Sequence, residues 1–283
     1  MTELPERYRT VTVSLDDALN RAIESHAQWD IDYAKYVCQR ILQLDPGNVA
    51  ARHQLRIIEQ WRDPKVMIRN LVAPRISTPN PVIFDIGANQ GNTIATYRSV
   101  FPTAVIHGFE PDPELAPALA ERFRADSTVR INPVAIGASE TTLPFNICRA
   151  AGNDGIGSFL DLNDTNLVTT NIGARKVGSV EVPVTTLDRY CAGNGIETVD
   201  FAKIDVQGFE QECLAGAAEM LGRHRIRMLQ IELLLSDMYS RTLSFYDIEK
   251  FLIPRGYRLY AIDDVYPRLG AELFQLDAFY VAP

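Results

Sequence analysis

The 283-residue chain carries 28 basic and 36 acidic side chains, which gives a formal net charge of −8. Because no dense block of lysine or arginine interrupts this acidic balance, electrostatic capture of nucleic acid or of an anionic membrane is not expected. Hydrophobic residues make up 46% and charged residues 23% of the chain, proportions that favour an ordinary globular protein over a disordered or fibrous one.

The strongly apolar runs are short and carry polar residues. The longest, residues 228–235, includes Gln230 and Glu232 and is far below the ~20 residues that span a bilayer. Residues 1–16 have neither the apolar core nor the small-residue cleavage site of a secretory signal. The four cysteines are scattered, without the paired spacing of a zinc site or a disulfide framework. We therefore expect a cytoplasmic protein with reduced thiols.

The first part of the chain has a helical rhythm. Apolar residues recur at helical spacing over residues 14–62, with a break at Asp45-Pro46-Gly47-Asn48. This pattern predicts a helical cap over residues 1–63, and one stretch of it resembles a single tetratricopeptide unit. The helices either pack on the main domain or bind a protein partner or a second copy. Four prolines then disfavour a long helix and predict a linker over residues 64–81.

Residues 82–283 are predicted to form the main domain, in which β-rich and helical stretches alternate. Such alternation favours a mostly parallel sheet with helices on both faces, because parallel strands need crossover connections. The predicted strands are residues 82–86, 104–110, 129–136, 199–206, 226–235, 257–262 and 273–281. Residues 268–271 leave room only for a turn, so the last strand is predicted to be antiparallel.

Residues 139–186 interrupt the alternation and are predicted to form a β-rich insertion with a mobile, glycine-rich loop. Its polar side chains are candidates for contacting a hydroxylated acceptor, or else simple turn residues. They are Asn153, Asp154, Ser158 and Asn171.

The turn after the first predicted strand is the sharpest signal in the sequence. Its glycines allow close backbone approach to a ligand and offer N–H groups at a helix start. The candidate cofactor-binding residues here are Asp85, Gly87, Ala88, Asn89, Gly91 and Asn92. The dinucleotide pattern G-x-G-x-x-G fails, because Asn89 and Asn92 stand where glycines belong. The acid before the turn instead suits a cofactor with a cationic amino-acid portion and no phosphate.

The second strand ends at Glu110, whose carboxylate is placed to accept hydrogen bonds from both hydroxyls of a ribose. Dehydrogenases and methyltransferases share this requirement. The alternative is a carboxylate that interacts favourably with the amino end of the next helix.

At this point the sequence resembles the FkbM family of methyltransferases over roughly residues 81–281. The matching motifs are Phe84-Asp85-Ile86-Gly87-Ala88-Asn89-Gln90-Gly91, Gly108-Phe109-Glu110-Pro111, Val134-Ala135-Ile136-Gly137, Val184-Thr185-Thr186-Leu187-Asp188, Ala202-Lys203-Ile204-Asp205-Val206-Gln207-Gly208-Phe209-Glu210 and Gln230-Ile231-Glu232. Pro111 and Ala135, within these motifs, join the candidate cofactor-binding residues. The family pattern usually has Glu where this chain has Gln207.

The resemblance implies a class I, Rossmann-like α/β fold, with a seven-stranded, mostly parallel sheet whose last strand is antiparallel. It also implies an O-methyltransferase that uses S-adenosylmethionine, releases S-adenosylhomocysteine and acts on a hydroxyl of a sugar, glycoside or other small biosynthetic product. Two other functions stay open at this stage. They are a catalytically silent cofactor-binding module that recruits a partner, and an NAD(P)-dependent oxidoreductase.

Methyl transfer to a hydroxyl requires alignment of the acceptor and removal of a proton. Asp205, at the end of a predicted strand, is the leading candidate base, and Glu232 on the neighbouring strand is the second. Lys203 shares a strand face with Asp205, so it is predicted to pair with that carboxylate and keep it ionised. Asp205 could instead only cap the following helix. A magnesium site formed by Asp188, Asp205 and Glu232 is conceivable but not favoured.

Overall fold

The computed structural model describes residues 14–27, 31–62, 64–150, 156–166, 169–170, 173–263 and 275–283. By their internal contacts the described residues divide into two compact units, one that ends at Arg62 and one that begins at Pro64. Among the described residues, no helix combines the length and the apolar character needed to cross a membrane.

The first unit contains the predicted N-terminal helices. They are α1 (Leu15–Ala27), α2 (Ile31–Leu44) and α3 (Val49–Arg62). The break between α2 and α3 falls at the predicted turn, after which the Asn48 side chain accepts a hydrogen bond from the backbone N–H of Ala51 and so caps α3. Cys38, Ile41 and Ile58 are among the buried residues of a small apolar core. The helical periodicity of this region is therefore confirmed.

The residues after α3 differ from the linker that the prolines predicted. A helical segment, α4, runs from α-helix (Pro64–Met67) through π-helix (Ile68–Val72) to a 3-10 turn (Ala73–Arg75). Pro64 opens the segment, where a missing N–H costs nothing, and Pro74 falls in the 3-10 turn that closes it. Residues 64–75 therefore pack into the second unit, with two of their side chains in its core.

A seven-stranded sheet forms the centre of the second unit. Its strands are β1 (Val82–Ile86), β2 (Val105–Phe109), β3 (Val129–Asn132), β7 (Phe201–Ile204), β8 (Met228–Leu234), β9 (Arg258–Asp263) and β10 (Gln275–Val281). Their order across the sheet is β3-β2-β1-β7-β8-β10-β9. All neighbouring pairs are parallel except those of β10, which is antiparallel to both β8 and β9. The predicted fold class, including its antiparallel last strand, is confirmed.

Helices cover both faces of this sheet. They are α5 (Asn92–Val100), α6 (Leu115–Phe123), α7 (Leu187–Asn194), α8 (Glu210–Ala215), α9 (Ala218–Gly222) and α10 (Phe245–Leu252). Alternate strand residues enter two separate cores, because successive side chains of a strand point to opposite faces. Phe84 and Ala202 belong to the core shared with α7 to α10, whereas Ile83 and Phe201 belong to the core shared with α4 to α6.

The single strand predicted over residues 129–136 is divided between two sheets, because its second half belongs to a separate, three-stranded sheet. β3 ends at Asn132 because Pro133 has no N–H to continue the ladder, and the short strand β4 (Ala135–Ile136) pairs elsewhere. Its partner is β6 (Arg175–Thr185), which also pairs antiparallel with β5 (Thr141–Arg149). The residues of β5 and β6 lie entirely within the predicted insertion of residues 139–186.

The helical stretch after β7 is broken into two short helices, α8 and α9. A Cβ at Gly216 would lie 2.0 Å from the carbonyl oxygen of Gly137, so the chain approaches the residue after β4 closely at this point. The break lets the two backbones pass, and it brings the second sheet close to the main one.

Candidate functional site

A cavity of about 290 Å³ lies at the carboxyl ends of β1, β2 and β7, the position where open α/β sheets bind ligands. Most of the candidate residues from the sequence line it. They are Gly87, Ala88, Asn89, Asn92, Glu110, Pro111, Ala135, Lys203 and Asp205. Three others, Asp85, Gly91 and Glu232, are not among its lining residues. The fold thus brings residues from distant motifs together at one cavity, and these three lie outside its lining.

Gly87 makes the first turn possible. Its φ is +88°, and its N–H and that of Ala88 donate to the carbonyl oxygen of Phe109 at 3.0 and 2.9 Å. A Cβ at Gly87 would lie 1.8 Å from the backbone oxygen of Asp205. The turn and the end of β7 are therefore in contact through a gap that only glycine fits.

Gly91 and Asn92 begin the helix that follows this turn. Gly91 has a φ of +81° at the start of α5, and a Cβ there would lie 2.4 Å from Leu119 and 2.6 Å from Phe123. The Asn92 side chain accepts a hydrogen bond from Arg122 at 2.9 Å. Gly91 thus acts in the packing of α5 against α6, away from the cavity, whereas Asn92 lines it.

Glu110 joins the turn after β1 to the turn after β2. One carboxylate oxygen accepts from the backbone N–H of Asn89 at 2.7 Å, and the other from that of Asp112 at 2.9 Å. Burial raises the pKa of Glu110 to about 7, although these two N–H groups partly oppose the shift. Each oxygen keeps a further lone pair for a ligand, because a carboxylate accepts up to about four hydrogen bonds.

Asp85 lies in β1, fully buried, and no described residue donates a hydrogen bond to either of its side-chain oxygens. It is the register partner of Lys203 on β7, so the two side chains share one sheet face. Burial raises the pKa of Asp85 to about 7, with Lys203 opposing and Asp205 adding to the shift. The structure therefore places Asp85 beneath the cavity, next to the groups that line it.

We expect Asp85→Asn to stabilise the free protein at pH 8 more than at pH 5. The folded pKa of Asp85 lies above the ordinary value of 3.8, so its contribution to stability is lost as pH rises from about 4 to 7. At roughly 1.4 kcal/mol per pKa unit, the loss is on the order of a few kcal/mol. The measurement is urea unfolding at both pH values, with the exposed Asp164→Asn as control. An equal effect of Asp85→Asn at both pH values would contradict the assignment.

A chain of polar side chains crosses the sheet beside the cavity. Lys203 Nζ donates to Asp205 Oδ2 at 2.6 Å, as the sequence predicted. Gln207 Nε2 donates to Asp205 Oδ1 and to Glu232 Oε2, each at 2.8 Å, and Gln275 Nε2 donates to the other oxygen of Glu232. The two candidate bases are therefore linked by Gln207, a contact that the sequence did not predict.

The pKa values of the two linked carboxyl groups are shifted in opposite directions. Burial alone would raise the pKa of Asp205, but Lys203 and hydrogen bonds from Glu232 and Gln207 lower it below its usual range. Burial and the neighbouring Asp205 raise the pKa of Glu232 well above its usual range. These shifts favour the ionised form of Asp205, which can accept a proton, and the protonated form of Glu232.

Residues beyond the predicted set form an aromatic part of the cavity wall. The rings of Phe145 and Phe159 are 5.2 Å apart, and those of Phe159 and Phe209 are 4.4 Å apart. All three rings line the cavity. Ser158, a candidate for acceptor contact, is instead buried in contact with a backbone carbonyl, and Asn153, Asp154 and Asn171 lie outside the described residues.

Asp188 does not join Asp205 and Glu232. Its carboxylate accepts from the backbone N–H groups of Glu219 and Met220 at 2.8 and 2.9 Å, where it stabilises the start of α9. Across the described part of the chain, no group of three or more histidine, cysteine or acidic residues is arranged to hold a metal ion.

Residues 85–259, more than half of the chain, match the family model described as "Methyltransferase FkbM domain". A 2-O-methyltransferase, NoeI of Sinorhizobium fredii (strain NBRC 101917 / NGR234), is 29% identical over 163 residues, which are 56% of this chain. The match spans 66% of that relative, slightly less than two thirds of its length.

Solved structures with a similar fold are more distant in sequence. The Methanococcus jannaschii fibrillarin pre-rRNA processing protein is 14% identical, with a TM-score of 0.41 over 72% of this chain and 67% of that one. The StiE O-MT structure, residues 961–1257, is 9% identical, with a TM-score of 0.43 over 86% of this chain and 81% of that one.

Proposed function

The chain belongs to the FkbM methyltransferase family, and from this premise we propose that it transfers the methyl group of S-adenosylmethionine to a hydroxyl oxygen of a small molecule or glycan. Family membership gives the domain its methyltransferase class and its cofactor. The choice of oxygen as acceptor atom is supported by the similar protein described as a 2-O-methyltransferase. The observation that carries the proposal is the carboxyl group of Asp205, bonded to Lys203 at 2.6 Å and lining the cavity beside a glycine turn.

The charges of the cavity fit a cationic cofactor. Among the described residues that line it, Lys203 is the one cation and is already bonded to Asp205, and of the acids Glu110 and Asp112 the second is paired with Arg149 at 3.1 Å. A pyrophosphate would find no unpaired cation among these lining residues, whereas the carboxylate of Glu110 would attract an ammonium or a sulfonium. The buried side-chain oxygen of Asn89 accepts no hydrogen bond from the described residues and is available to a ligand. These features support S-adenosylmethionine over a nicotinamide dinucleotide.

Residues of the turns after β1 and β2 are proposed to hold the cofactor. Gly87 and Ala88 line the cavity at the first turn, and Glu110 would accept from ribose hydroxyls. Pro111 and Ala135 supply apolar wall. We propose an indirect role for Asp85, which is buried behind this wall. When bound, S-adenosylmethionine supplies an electrophilic methyl group on a sulfonium sulfur.

Asp205 is proposed as the general base. It lines the cavity as an ionised carboxylate, and Lys203 holds it in place through a 2.6 Å hydrogen bond. Glu232 is proposed to assist as a protonated neighbour, because it does not line the cavity and retains its proton. The aromatic side chains at Phe145 and Phe159 lie on the side of the cavity left for the acceptor.

We propose that residues 1–63 form a helical region distinct from the catalytic domain of residues 82–283, with a protein partner or a second copy as its ligand. A reducing, cytoplasmic location is supported by four free, buried cysteines, two of which, Cys38 and Cys191, have pKa values raised by burial to about 11 and 12.

A direct test is calorimetric titration with S-adenosylhomocysteine, NAD and NADP, followed by incubation of hydroxylated acceptors with methyl-labelled S-adenosylmethionine. Binding of S-adenosylhomocysteine alone and transfer of label to a hydroxyl are expected. Binding of the dinucleotides alone would overturn the proposal, and cofactor binding without transfer to any acceptor would favour a silent module.

We expect Glu110→Gln to weaken S-adenosylhomocysteine binding by roughly ten- to a hundredfold. The amide keeps one oxygen, so its NH₂ group faces the backbone N–H of either Asn89 or Asp112, and the two turns separate. Titration calorimetry measures the loss. The matched control is Glu121→Gln, an exposed glutamate on α6, which should bind as the wild type does. Equal affinities of Glu110→Gln and the control would exclude the ribose role.

A further inference from the structure

Gln207 occupies a backbone conformation that other residue types hold more easily. It follows β7 with a φ of +55°, in the left-handed region where glycine has no Cβ penalty. The conformation is fixed by Ser158, whose hydroxyl donates to the Gln207 carbonyl oxygen at 2.7 Å. Backbone strain of this kind is concentrated at functional sites, so we expect the side chain of Gln207 to have a role.

The amide of Gln207 is oriented by its neighbours. Its NH₂ group donates one hydrogen to Asp205 and one to Glu232, and its oxygen lies 3.1 Å from the hydroxyl of Tyr239. The opposite orientation would place the amide oxygen against the ionised carboxylate of Asp205. One side chain therefore satisfies both carboxyl groups without adding a charge between them.

We propose that Gln207 is a positioning residue for proton transfer, whose amide holds Asp205 and Glu232 in one hydrogen-bonded unit in which Asp205 is the proton acceptor. The inference rests on the proposed methyl transfer. In that step the acceptor oxygen bonds to the methyl carbon, the carbon–sulfur bond breaks with its electron pair left on sulfur, and the hydroxyl proton goes to Asp205. Gln207 contacts neither the acceptor oxygen nor the methyl carbon in this step, and it acts through the two carboxyl groups.

The neutrality of Gln207 matters because the surroundings of Asp205 are already acidic. Lys203 is the cation that contacts it. The charge of Asp205 also raises the pKa of six other titratable groups, which are Asp85, Tyr97, Glu210, Glu232, Tyr239 and Asp277. A further carboxylate within hydrogen-bond distance would favour protonation of Asp205, since like charges raise the pKa of a carboxyl group by about one unit or more.

Two substitutions separate the charge of residue 207 from its shape. Gln207→Glu keeps the shape and adds a carboxylate, whereas Gln207→Gly removes the side chain and relieves the backbone strain of the positive φ. The charge-matched control is Gln43→Glu, at an exposed position of α2. Ionisation of Asp205 is followed without any acceptor by difference infrared spectroscopy of the carboxyl bands against pH, with Asp205→Asn and Glu232→Gln to assign them. Thermal unfolding of every variant establishes that it is folded.

We expect Gln207→Glu to move the Asp205 midpoint upward by about one pH unit or more, and Gln207→Gly to move it upward by less. With an acceptor identified in the labelling assay, the acid limb of kcat should move by the same amounts, and Gln207→Gly should lower kcat roughly tenfold while remaining as stable as the wild type. An unchanged midpoint in Gln207→Glu would overturn the inference, even if methyl transfer occurs. Shifted midpoints with no methyl transfer to any acceptor would instead defeat the proposed function.

Discussion

Replacement of Asp205 by Asn is expected to lower kcat for methyl transfer by roughly 10²- to 10⁴-fold, the usual contribution of a positioned general base. The variant keeps the shape of the side chain but has no basic oxygen for the acceptor proton. Because the backbone carbonyl of residue 205, and not its side chain, contacts Gly87, the cofactor turn should be preserved. The measurement is the initial rate of label transfer, with the affinity for S-adenosylhomocysteine determined in parallel and expected to change only a few-fold.

Glu232→Gln is the matched comparison, because it alters the other carboxyl group of the same network. The protonated form of Glu232 is favoured and the residue does not line the cavity, so we expect its replacement by an amide to lower kcat by less than about tenfold. A larger loss in Glu232→Gln than in Asp205→Asn would reverse the two roles. Equal activity of Asp205→Asn and the wild type would remove general-base catalysis by Asp205 from the proposal.

Gly87→Ala is expected to destabilise the protein by about 2–5 kcal/mol and to abolish measurable cofactor binding. The added Cβ would lie 1.8 Å from the Asp205 carbonyl oxygen, and the φ of +88° is unfavourable for alanine. Since the colliding atom belongs to the backbone, the clash is relieved only by moving β7 away from β1. Urea unfolding reports the first effect, and calorimetry with S-adenosylhomocysteine reports the second.

Gly193→Ala provides the control for this substitution. Gly193 lies in α7, and a Cβ there would meet nothing within 4 Å. Alanine at this position should leave cofactor binding unchanged and stabilise the helix by up to about 1 kcal/mol. If Gly87→Ala proved as stable as Gly193→Ala and bound cofactor normally, the close approach between the turn and β7 would have no functional importance.

The parts of the site that could be predicted from the sequence are those with a local cause. The turn at Gly87 follows an apolar strand, so its position was set by a few adjacent residues. The Lys203–Asp205 pair follows from the two-residue repeat of a strand, which places both side chains on one face. The antiparallel final strand was predicted because the chain before it is too short for a crossover helix.

The parts that escaped prediction depend on contacts between distant segments. Gln207 was noted only as a departure from the family pattern, since nothing near it in sequence indicates that its amide reaches Glu232. The aromatic wall has no local signature in the sequence, because Phe145 and Phe159 meet only after the second sheet has formed. The buried position of α4 also depends on long-range packing, which local proline effects do not reveal.

The cavity takes its two walls from separable stretches of the chain. Glu110 and the turn at Gly87 come from the βα units of the main sheet, whereas Phe145, Gly157 and Phe159 come from the insertion. Evolution can therefore alter one wall by mutation within residues 139–186 while the strand ends that form the other are kept, provided that Ser158, which holds the Gln207 backbone, is retained. Related enzymes with different acceptors should diverge mainly in that segment, and grafting it between them is a rational route to altered specificity.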